Sequence, residues 1–166
     1  AVALCCGMLV AGCAGMRPDA GALMLTGSDD AAAAAVLRDR LHAAGLPVEP
    51  AESPASLFVY RRGRATLLSP VLQAEGLDRI IAARSYAPAA GRGAAELETL
   101  ALSLNRALNV AGFKVSGDAL LMEANLTFVD RLEVAELLAF LDWLDSIELA
   151  IRRVDAESRA LLLTTT

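Results

Sequence analysis

Between Leu120 and Phe128 the sequence alternates without a break. Leu120, Met122, Ala124, Leu126 and Phe128 occupy one set of positions, and Leu121, Glu123, Asn125 and Thr127 occupy the other. Successive side chains of a strand point to opposite faces. The stretch therefore reads as a strand with one face in a core and the other mostly toward solvent. Antiparallel sheets allow that arrangement, whereas parallel strands are buried on both faces. Phe113-Lys114-Val115 precedes it across Ser116-Gly117-Asp118, which predicts a hairpin.

Leu57-Phe58-Val59-Tyr60, the polar turn Arg61-Arg62-Gly63-Arg64 and Ala65-Thr66-Leu67-Leu68 predict another hairpin, with Pro70 at the end of its second strand. Leu77 to Tyr86 reads as a third strand with Ile80, Ala82 and Tyr86 on one face; a short helix over 77–84 is the alternative.

Helices bracket these strands. Ser28 and Asp29 are good caps for a helix over 29–44, with Val36, Leu37, Leu41 and Ala44 as its apolar stripe and Gly45 and Pro47 as its stop. Asp29-Asp30 suits the positive helix end rather than a cation site. A second helix spans 94–111, where Leu97, Leu100, Ala101, Leu104, Leu108 and Ala111 share a face, and Gly112 stops it. A third starts at Asp130, with Glu133 three residues on as in a capping box, and runs to about Val154. The order α-β-β-β-α-β-β-α predicts an α+β fold, an antiparallel sheet flanked by helices.

At 55 % hydrophobic and 21 % charged, 166 residues can bury a core, which excludes intrinsic disorder. A net charge of −5 argues against nucleic-acid partners, which need a basic surplus.

The first sixteen residues carry no charge. Ala1 to Val10 is too short for a membrane span of about 20 apolar residues, and fits a secretory h-region that lacks its first residues. Leu9-Val10-Ala11-Gly12-Cys13 resembles the lipobox of bacterial lipoproteins. That resemblance implies a signal peptide over 1–12, lipidation of Cys13 and a tether over 14–26, in which Leu23-Met24-Leu25 could instead form a strand. Ala14 stands where such proteins carry Asp for inner-membrane retention, which implies an outer-membrane anchor facing the periplasm. All three cysteines, Cys5, Cys6 and Cys13, lie in this segment, so the body has no disulfide framework. The alternatives are a signal cut elsewhere or a buried N-terminal helix. The domain is expected over 27–158, with a tail over 159–166.

Chemistry is sparse. One His, His42, near a helix end, and no body cysteine leave no nucleophilic triad, thiol site or metal motif, so neither a cofactor nor an enzyme is expected. Asp142 and Asp145 read as a solvated helix face. Arg61, Arg62 and Arg64 read as an exposed, replaceable hairpin tip, with contact to anionic lipid head groups as the functional reading. On the last helix, Leu137, Leu138, Leu141 and Leu144 form one stripe; Phe140, Trp143, Ile147, Ala150 and Val154 form a second. One stripe suffices for a surface helix. The second is either covered within the monomer or is a partner or dimer surface built on Phe140, Trp143 and Ile147.

Leu97 to Val154 resembles the C-terminal part of the YbjN domain family, whose fold is like that of type III secretion chaperones. The likeness rests on Leu104-Asn105 with Asn109, on Phe113 to Val115, on Leu121-Met122-Glu123-Ala124-Asn125-Leu126 and on the helix from Asp130. Leu108 stands where the family usually has an aromatic. The resemblance implies a dimer-capable, non-enzymatic domain that binds a protein segment or regulates another process. The leading expectation is a chaperone-like protein-binding lipoprotein. The runner-up binds lipid or a small ligand in a pocket between sheet and helices, and an enzyme of unrecognised type is the third.

Overall fold

The computed structural model describes residues 22–25, 29–129, 131–157 and 161–162. The leader with Cys13, and Asp130, lie outside the described residues. The elements are β1 (Ala22–Met24), α1 (Asp30–Ala43), β2 (Val48–Pro50), β3 (Leu57–Arg61), β4 (Arg64–Val71), β5 (Asp78–Tyr86), α2 (Ala94–Ala107), β6 (Gly112–Ser116), β7 (Ala119–Phe128), β8 (Arg131–Glu133) and α3 (Val134–Glu157). The fold is α+β. Strands β2-β3-β4-β5-β7-β6 form one antiparallel sheet in that order, and β1 pairs with β8 in a second.

Burial alternates along the long strands. Ile80, Ala82 and Tyr86 on β5 and Leu120, Met122, Ala124 and Phe128 on β7 are buried, together with Leu57, Val59 and Leu68. These residues form one core with Leu37 and Leu41 of α1, Leu97, Leu100 and Leu104 of α2, and Leu137, Leu141 and Leu144 of α3. The helices therefore cover one face of the sheet.

Local chemistry explains the element ends. Asp29 caps α1, its Oδ1 accepting from the Ala31 and Ala32 amides at 3.0 Å. Asp30 accepts from the Leu72 amide at 2.8 Å and ties the helix start to the end of β4. The β3–β4 turn is two residues, Arg62 and Gly63, with φ of +49° and +72°. Positive φ at both central residues is the turn that matches strand twist.

Four expectations need correction. Strand β2 was not foreseen: Val48–Pro50 is short, and Pro50 is a poor strand residue. Helix α2 ends at Ala107, because Leu108 is extended and Gly112 opens β6 instead of stopping the helix. Helix α3 starts later, at Val134, because 131–133 form β8; Glu136 supplies the capping carboxylate, accepting from the Glu133 amide at 3.0 Å. The segment taken as a tail contributes to the core. Leu161 and Leu162 are buried, and both amides donate to the buried Asp155 carboxylate.

Candidate functional site

The hairpin tip and the middle of α3 meet in a charged clasp. Arg61 and Arg64 are register partners flanking the turn, so they share a face, and that face lies under the helices. Arg84 of β5 joins them with its side chain only 2 % exposed. Opposite stand Asp142, Asp145 and Glu148, spaced every three residues along α3 and so on one side of it. Arg84 donates to Asp145 Oδ1 at 2.5 Å, to Thr66 Oγ1 at 2.9 Å and to the Leu144 carbonyl at 3.3 Å. Arg61 donates to Asp142 at 2.5 Å, and Arg64 to Glu148 at 2.8 Å. Arg152, one turn on, holds the same Glu148 oxygen at 2.9 Å. Arg64 and Arg152 both stand about 6 Å from the Tyr86 ring centroid, within cation–π range.

The hairpin tip is therefore not a free basic surface. Arg61 and Arg64 are spent inside the fold; Arg62, in the turn itself, is 70 % exposed but also reaches Asp142 and Asp145, at 3.7 and 3.8 Å. Asp145, read as part of a solvated face, is only 7 % exposed. Its Oδ2 accepts no hydrogen bond, the nearest guanidinium nitrogens of Arg61 and Arg62 standing 3.8 Å away. Arg61 beside Asp142 holds that carboxyl below the usual range. Burial, and then the Glu148 carboxylate, push the Tyr86 hydroxyl well above its ordinary value. Asp142 thus stays ionised and Tyr86 protonated through neutral pH. Nothing in the sequence marked Arg84, which lies among apolar strand residues.

The second stripe of α3 is not an exposed patch. Phe140 and Ile147 are buried, and Trp143 is half-buried against the core, stacked on Phe140 with centroids 5.6 Å apart. By sequence alone the stripe fits either the monomer core or a partner surface; the chain covers it itself.

The opposite face of the sheet carries no helix among the described residues. Phe58, Leu67 and Ala83 lie in one cross-strand row, with Ile81, Val71, Tyr60 and Leu121 around them, all half-buried. On this face Lys114 pairs with Glu123 at 2.8 Å, the Tyr60 hydroxyl donates to the Glu49 carboxylate at 2.8 Å, and Arg79 stands exposed at the far end of β5. The bond to Glu49 raises the Tyr60 hydroxyl above its usual value. Both sheet edges are blunted. Strand β2 is three residues ending in Pro50, and on β6 the Asn105 side chain takes both the amide and the carbonyl of Phe113, each at 2.8 Å. Asn105, which enters the sequence reading through the Leu104-Asn105 motif, thus imitates a neighbouring strand.

A groove of about 360 Å³ opens between α1 and the β2–β3 loop, lined by Ala34, Arg38, Pro50, Pro54 and Leu57 among others. Among the described residues no group of three or more His, Cys, Asp or Glu could hold a metal ion, and no helix is long and apolar enough to cross a membrane. Comparisons with family models, curated proteins and solved structures find no match to this chain.

Proposed function

We propose that the chain is a non-catalytic, protein-binding lipoprotein of a bacterial envelope. It is held through a lipidated Cys13, on the outer membrane and facing the periplasm. The observation that carries the binding role is the sheet face around Phe58, Leu67 and Ile81, which no helix covers among the described residues. A connected apolar surface marks an interaction site more often than scattered residues do. The partner is a protein presenting an apolar patch, because the middle of the face is apolar and its Lys114–Glu123 ion pair is satisfied within the chain. It docks on the face and not edge-on, since the β2 and β6 edges are blunted. The docking surface thus moves from the last helix, where the sequence suggested it, to the sheet. The resemblance to YbjN and type III secretion chaperone domains supports the same class of role.

The test is a photoreactive phenylalanine at Phe58 in intact cells, with the same probe at Leu149, 74 % exposed on α3, as the control. One identified protein crosslinked from position 58 and not from 149, and lost in a Leu67→Glu background, supports the reading. A folded chain that gives no product at 58 overturns it. The anchor is tested separately, since Cys13→Ser should stop processing or release the protein from membranes. A second reading, a small-ligand carrier, rests on the groove beside α1, and saturable binding of a ligand lost in Ala35→Trp, a half-buried position lining the groove, favours it.

A further inference from the structure

Strand β1 lies between the proposed lipid site and the body, and it is stitched to the far half of the chain. Ala22, Leu23 and Met24 pair antiparallel with Glu133, Leu132 and Arg131. Leu25, the next residue, is 1 % exposed within the main core. Strand β8 in turn runs directly into α3.

The point where the anchor enters the body is therefore Ala22 and not the start of α1. From residue 13 to residue 22 the chain makes nine steps, and whatever path it takes these span at most about 30 Å. From residue 13 to the α1 cap at Asp29 it makes sixteen, or about 55 Å. A two-stranded ribbon of this length is marginal by itself. Its docking rests on the three register pairs and on the seat of Leu25.

We infer that β1 is a strap setting the reach of the anchor: docked on β8 it holds the body within about 30 Å of the lipid, and undocked it lets the body out to about 55 Å. The inference rests on the lipidation reading of Cys13. With the strap docked, the first turn of α3 lies close to the bilayer, and the reachable partners are those standing at the same membrane surface.

The test uses the full chain, processed in a bacterial host and reconstituted in phosphatidylethanolamine–phosphatidylglycerol vesicles. A donor dye sits on Ala135→Cys, an exposed position in the first turn of α3, and acceptor dyes sit on lipid head groups. Six Gly/Ser residues are inserted either between Gly21 and Ala22 or between Leu25 and Asp29. A docked strap predicts that the first insertion lowers energy transfer about twofold, because the allowed reach rises by roughly two thirds, and that the second leaves it unchanged. Equal loss from both insertions, or loss from neither, overturns the strap. Leu25→Asp should lower transfer as the first insertion does, provided its melt stays cooperative; the insertion pair carries the test if it does not. Membrane fractionation comes first. A chain that does not partition with membranes overturns the anchor and the strap's role together, and so is told apart from a bound chain whose transfer ignores the insertions.

Discussion

Helices α2 and α3 lie on the same face of the sheet but are held by opposite chemistry. Helix α2 grips through Leu97, Leu100, Ala101 and Leu104, with Asn105 closing its end onto β6. Helix α3 has apolar contacts too, but at its middle it is gripped by three arginines, Arg61, Arg64 and Arg84, reaching from three strands to Asp142, Asp145 and Glu148. An apolar contact is non-directional, and a leucine face can shift by a fraction of a turn with modest loss. A buried ion pair tolerates no such shift, because a misplaced carboxylate leaves a desolvated guanidinium behind. The clasp thus fixes the position of α3 along the sheet, while the leucines of α2 mainly supply burial.

The comparison breaks most sharply at Asp145. Asp145→Ala strands Arg84 in the interior and should cost about 3–5 kcal/mol in a denaturant melt. Arg84→Met with Asp145→Leu should recover most of that loss, because removing both charges removes the desolvation cost. A double variant as unstable as the single one would mean that the clasp contributes net stability and not only position. On the other helix, Leu100→Ala should cost about 3 kcal/mol, a cavity effect that no partner substitution repairs.

Asn105→Ala should cost about 1–2 kcal/mol, since it releases the Phe113 amide and carbonyl together. It should also uncover the β6 edge, so sedimentation at rising concentration should show self-association absent from the parent chain. The smallest effect sharpens the electrostatic side. Arg61 lowers the Asp142 pKa in the folded chain, so that pairing stabilises fully above the ordinary carboxylate range and is lost as pH falls through the lowered value. Melts of the parent and of Asp142→Asn should differ slightly at neutral pH and converge in acid. A difference that persists below the carboxylate range would show that Asp142 acts by packing.

What could be read beforehand follows the range of the interaction. The α1 cap at Asp29, the alternation of β7, both hairpins and the leucine face of α2 are contacts within a few residues, and each leaves a period or a turn signature. The clasp leaves none. Arg61 and Asp142 are 81 positions apart, and each alone resembles an ordinary surface charge. Strands β1 and β8 are three residues each, too short to show a period, and each exists because the other is there.

The sequence by itself determined the fold class, the one-sided sheet and the two apolar sides of α3, because periodicity is a property of the chain alone. The tertiary structure decided that both sides of α3 are covered by the chain itself, that Arg61 and Arg64 turn inward while Arg62 stays largely exposed, and that, among the described residues, the half-buried row of Phe58 and Leu67 faces away from the helices. The physical reason is shared by all three. A stripe or a charge states what kind of neighbour it needs, and only the packing of distant segments supplies which neighbour that is.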